Sequence, residues 1–70
     1  MRFYAITHIG RSTQLPELHT FPSRSARDAY VKRVGRSYAI SHAALDGARR
    51  IWARRGGQPT QIDHEAGADG

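Results

Sequence analysis

The side chains in this 70-residue sequence that could do chemistry are four histidines, six carboxylates and ten arginines beside a single lysine. His8, His19, His42 and His64 are the only imidazoles, and no cysteine is present. A hairpin could bring His8 and His19 together as metal ligands. However, no HxH or HxxxH spacing accompanies them, and no cysteine or nearby carboxylate completes a tetrahedron, so no metal site and no cofactor is expected. Serine, histidine and aspartate all occur, but without a nucleophile elbow or any strand and turn that would lift a serine above a sheet. Acid–base work would have to draw on Glu17, Asp28 and Asp46, which sit far apart on separate elements. No phosphate-binding glycine loop is found either. The sequence therefore gives no catalytic residues, and the chain is not expected to be an enzyme.

The arginines are more informative. Residues 1 to 56 hold all 11 basic residues and three of the six acidic ones, a formal charge of +8 against +5 for the whole chain. A field of that sign attracts nucleic acid or an acidic protein surface and raises association rates. Guanidinium also pairs in bidentate fashion with phosphate or carboxylate, which suits a binding surface. The candidate binding residues are Arg49, Arg50, Arg54 and Arg55 near the end of one helix, Arg24, Arg27 and Lys32 on another, and Arg11 in a loop. The plain alternative is a solvated coat with no partner. Trp52 lies beside the arginines as a base-stacking platform would, but its place in an apolar stripe points to the core.

The element that must carry the densest cluster is the stretch Ser41 to Gly56. Ser41 can cap a helix by accepting from a backbone N–H two or three residues on. Ala44, Leu45, Ala48, Ile51 and Trp52 recur at helical spacing and form one apolar face. Gly56 can supply the left-handed residue that ends the helix. Upstream, Arg2 to Ile9 is rich in aromatic and β-branched residues. Its consecutive apolar run from Phe3 to Ile6 reads as a strand covered at least partly on both faces, central rather than edge. Turn chemistry follows from Gly10 to Pro16, and a second strand is expected over Glu17 to Phe21, making a hairpin. A first helix should span Arg24 to Val34, capped by Ser23 or Ser25, with Ala26, Ala29, Tyr30 and Val34 inward and Gly35 after its end. Ser37 to Ser41 reads as a short third strand.

The expected fold is thus α+β, a two-layer ββαβα unit. It has a three-stranded, mainly antiparallel sheet in the order 2-1-3 and two helices on one face. Residues 57 to 70 carry no basic residue and one isolated Ile62, so they are expected to form a disordered acidic tail beside a single domain of residues 1 to 56. No apolar run long enough for a signal peptide or membrane span is seen, and a cysteine-free chain suits the cytoplasm.

No motif specific to a family is present. In size and build, the cysteine-free α+β chain with a highly charged face resembles the small inhibitors that phages and other mobile elements encode against host defences, anti-CRISPR proteins among them. The resemblance transfers no residue roles. It implies a mechanism without chemistry, the occlusion of an acidic or nucleic-acid-binding surface on a larger protein or nucleoprotein complex. A small accessory protein that binds DNA or RNA through the same arginines is the second expectation, a minor enzyme or purely structural subunit is a remote third, and the oligomeric state is left open.

Overall fold

A computed structural model describes residues 2–7 and 16–64. Six elements follow in order: β1 (Phe3–Thr7), β2 (Glu17–Phe21), α1 (Arg24–Arg33), β3 (Ser37–Ile40), α2 (His42–Arg54) and β4 (Gln61–Asp63). The four strands form one mixed sheet in the order β3-β1-β2-β4. β1 lies antiparallel to both β2 and β3, as expected, while β4 joins β2 in parallel. His8, Ile9 and the expected turn from Gly10, including Arg11, lie outside the described residues.

The layering differs from the expected two-layer sandwich, because the helices cover opposite faces of the sheet. On one face Ala5 and Phe21 pack with Ala26, Tyr30 and Val31 of α1. On the other, Leu18, Tyr4, Ile6 and Ile40 pack with Leu45, Ala48 and Trp52 of α2. The cause lies in β1 itself. Its Phe3 and Ala5 point to one side and its Tyr4 and Ile6 to the other, so a single helical layer would leave one apolar set in water. Fully burying a side chain such as Leu45 contributes roughly 1.5–3 kcal/mol, and neither cluster is large enough to be left uncovered in so short a chain.

The helix ends follow local chemistry. Ser23, rather than Ser25, caps α1, its hydroxyl accepting from the Ala26 N–H, and Ser41 caps α2 by accepting from Ala44 N–H. At the end of α2 the Gly57 N–H donates to the Trp52 carbonyl at 2.9 Å and the Gly56 N–H to that of Ala53 at 3.5 Å, with Gly56 at φ +118°. This is the Schellman pattern that a glycine makes accessible. α1 ends differently. The residue with positive φ is Arg36, at 63°, and not Gly35, while the buried Ser37 hydroxyl donates to the carbonyls of Val31 and Val34. The inward stripes are also narrower than the apolar spacing implied. Ala29, Ala44 and Ile51 are exposed, Ile51 by 53%, because each helix meets only a few strand side chains.

The expected disordered tail from residue 57 does not hold as far as His64. Ile62 alone buries little, but the main chain adds a strand: Leu18 N–H donates to the Thr60 carbonyl at 2.9 Å and His64 N–H to that of Thr20 at 2.7 Å. Pairing with the open edge of β2, not apolar area, orders this segment. Residues 65 to 70 lie outside the described residues. Removing residues 58 to 70 is therefore expected to lower the melting temperature by roughly 4 °C or more, the equivalent of at least about 1 kcal/mol in a domain this size. An unchanged melting curve would show that β4 adds nothing. Gly47, in the middle of α2, has open space where a Cβ would sit. Gly47→Ala should stabilise by about 1 kcal/mol in denaturant titration.

Candidate functional site

The face of the sheet under α1 holds a buried polar cluster that joins three strands and a helix. The register places His19 opposite Ala5 on β1 and beside Ile62 on β4, so its ring points toward α1 next to Phe21. His19 Nε2 lies 3.1 Å from Glu17 Oε1 and 3.0 Å from the Tyr30 hydroxyl, and Tyr30 in turn lies 2.9 Å from Thr7 Oγ1. On its other side His19 Nδ1 is 2.8 Å from His64 Nε2. The His64 ring stacks on Phe21 with centroids 4.2 Å apart and an interplanar angle of 12°. His19 is only 4% exposed, so these contacts replace its hydration.

The acceptor-only carboxylate of Glu17 fixes the hydrogen positions. Nε2–H of His19 donates to Glu17, leaving Nδ1 as the acceptor for His64 Nε2–H, and the Tyr30 hydroxyl donates to Thr7. One hydrogen thus already lies between the two facing ring nitrogens, and a proton added to His64 would sit on its Nδ1, away from that bond. The pKa of His64 is held below the ordinary histidine value, first by burial and then by His19 and Arg33, with Asp63 opposing in part. The cluster therefore acts as a clasp between β4 and the body of the domain. His19 Nδ1 and His64 Nε2 are paired with each other, and among the described residues no group of three His, Cys, Asp or Glu side chains is placed to hold a metal ion. The suggested partner of His19 in such a site, His8, lies outside the described residues.

The sequence-predicted arginines separate into two groups. Because β1 is antiparallel to β2 and β3, and β4 is parallel to β2, α1 and α2 both run from the Phe3 end of the sheet toward its Thr7 end. Their last turns thus bring Lys32 and Arg33 of α1 and Arg54 and Arg55 of α2 to the same end, on either side of the sheet. Arg50, Arg54, Arg55 and Lys32 are exposed. Arg49 is half-buried rather than exposed, since it follows Leu45 by four residues and precedes Trp52 by three, and Gln58 Nε2 donates to its carbonyl at 3.1 Å. Arg24 and Arg27 lie at the opposite end with Arg2, and Arg11 lies outside the described residues. Among the described residues, only Arg27 of the ten Lys and Arg side chains is in an ion pair, with Asp28 at 2.7 Å. Asp46 makes no salt bridge with Arg50, four residues on, although helical spacing allows one.

The histidine clasp was not legible as a site. His19 and His64 are separated by 45 residues, and His64 falls in a segment whose composition signals no structure. Compared with known protein families, curated proteins and solved structures, the chain finds no match. No helix among the described residues is long and apolar enough to cross a membrane.

The clasp sets a pH dependence. With the folded pKa of His64 lowered, the unfolded chain binds more protons as pH falls through the ordinary histidine range near 6.5, so stability is full above that value and declines below it. Melting temperatures measured between about pH 5 and 7.5 should fall on the acid side. In His64→Phe, which keeps a ring against Phe21, that acid slope should flatten.

Proposed function

We propose that this chain is a non-enzymatic binding protein that occludes an acidic or nucleic-acid-binding surface of a larger protein or nucleoprotein complex, in the manner of phage-encoded anti-defence inhibitors of the anti-CRISPR kind, within the cytoplasm. The observation that carries this reading is the set of cations left without carboxylates. Nine of the ten described basic side chains make no ion pair. Four of them, Lys32, Arg33, Arg54 and Arg55, come from the last turns of two helices to one end of the sheet. Arg50 extends this surface along α2, and Arg49 contributes from its half-buried position. A protein that needed arginine only for solubility would intersperse both signs of charge. Of the four described carboxylates, Glu17 is engaged with His19 and Asp28 with Arg27, while the exposed Asp46 and Asp63 make no ion pair with these cations.

Such a surface is built for a polyanion or an acidic patch. Cations at the C-terminal ends of helices are favoured by the helix dipole, so the fold tolerates the cluster without a partner. Guanidinium groups then supply bidentate donors to carboxylate or phosphate. The occluding step needs no bond making.

Arg50→Glu combined with Arg54→Glu should abolish association with the physiological partner. Folding should be intact apart from a dipole penalty of under roughly 1 kcal/mol for each change. Co-purification from the source host, with nuclease treatment as a control and circular dichroism to verify the fold, is the measurement. Binding that survives the double reversal removes this surface from the interface. Steep linear loss of affinity for DNA with the logarithm of salt concentration, undiminished against unrelated sequences, would instead assign the same arginines to phosphates.

A further inference from the structure

The opposite end of the molecule holds a second basic feature, and it is concave. A cleft of about 380 Å³ opens where β1 begins, β3 ends and both helices start, lined by Arg2, Phe3, Arg24, Arg27, Ile40 and His42 among others. That volume falls within the range of roughly 300–1,000 Å³ typical of small-molecule sites. The Arg24 and Arg27 guanidinium carbons lie 5.8 and 5.7 Å from the centre of the Phe3 ring, so the aromatic side chain holds two cations beside the cleft. The Arg27 side chain is only 14% exposed, and its Nε–H donates to Asp28. Its four Nη–H donors find no partner among the described residues. Neither Arg2 nor Arg24 makes an ion pair there. The wall is fixed from behind by His42, whose Nε2–H donates to the Arg2 carbonyl at 2.9 Å and whose ring meets Tyr4 edge-on at 5.1 Å.

The placement of these charges runs against the stability of the free chain. Arg24 occupies the first position of α1, no acidic residue lies in that turn, and a cation there meets the positive end of the helix dipole. Three guanidiniums gathered with a single carboxylate add mutual repulsion. An anion in the cleft relieves both terms, and a dianionic phosphate relieves them more than a carboxylate does. Phe3, Ala39 and Ile40 give the same cleft an apolar portion.

We infer that this cleft is a binding site for a small phosphomonoester with a flat apolar part, the chemistry of a mononucleotide, with Arg2, Arg24 and Arg27 on the phosphate and Phe3, Ala39 and Ile40 against the rest. The site lies at the other end of the sheet from the proposed partner surface and does not depend on it. Arg50→Glu with Arg54→Glu should leave ligand binding unchanged.

The test is titration of the full chain with adenosine monophosphate, adenosine and inorganic phosphate, followed by amide chemical shifts. Adenosine monophosphate should give saturable shifts at Phe3, Arg24, Arg27, Ala39, Ile40 and His42, with adenosine and inorganic phosphate each weaker by roughly tenfold or more, since each lacks one half of the contacts. Arg2→Gln with Arg24→Gln changes exposed side chains and should keep the dispersed spectrum while weakening the nucleotide by roughly tenfold or more. Arg27→Lys, which retains the charge but loses the fork, should weaken it as well. No saturable shift at the cleft, equal binding of adenosine, inorganic phosphate as tight as the nucleotide, or affinity unchanged in the Arg2/Arg24 variant would each overturn the assignment.

Discussion

The structure depends on a strand that is apolar on both of its faces. Phe3, Tyr4, Ala5 and Ile6 alternate across the sheet, and neither half of that set can be left in water by a chain with so little core. Covering one half requires α1 and covering the other requires α2, which is why a 70-residue chain builds three layers where two would have sufficed for a one-sided sheet. The same requirement places β1 between β2 and β3, since an edge position would expose its flank. Once β1 is central and each helix returns along the sheet, both helices must run in the same direction. The collection of basic last turns at one end, and of helix starts at the other, is therefore a consequence of topology.

Much of this was legible in the sequence, and what was legible is punctuation. Pro16 marks the start of β2, which spans Glu17–Phe21 as expected, and Ser41 and Gly56 mark the limits of α2 through a hydroxyl cap and a positive φ. These are local signals, fixed by backbone chemistry within a few residues. The covering of β1 on both faces was also legible, although placing both helices on one face conflicts with it. The phase of α2 was read too broadly. Five apolar residues suggest a wide contact, but the facing surface consists of Tyr4, Ile6, Leu18 and Ile40, and only Leu45, Ala48 and Trp52 reach it.

What was not legible depends on partners distant in sequence. β4 is three residues long and has one apolar side chain, so no periodicity announces it. It forms because β2 offers an unpaired edge and because His64 finds a ring to stack on and a nitrogen to bond, all set by residues more than 40 positions earlier. The histidine cluster is hidden for the same reason. Read singly, His19 is one polar residue in a fair alternation. Only the parallel docking of β4 turns it into the middle of a chain of contacts running from Thr7 through Tyr30 to His64. The grouping of the arginines likewise needed the direction of the helices, which composition does not contain.

The distribution of charge separates what holds the domain together from what it presents to other molecules. Glu17 is turned inward, where it fixes the tautomer of His19, and Asp28 is taken by Arg27. Asp46 and Asp63, the other carboxylates among the described residues, make no ion pair with a helix-end cation. At the Thr7 end this costs little, because the cations there meet the negative ends of two helix dipoles. At the Phe3 end the dipoles oppose the cations, and among the described residues the Phe3 ring and the Asp28 carboxylate offset them. The two basic regions are thus unequal in kind. At one end the helix dipoles favour the cations, and at the other they oppose cations that line an open cleft.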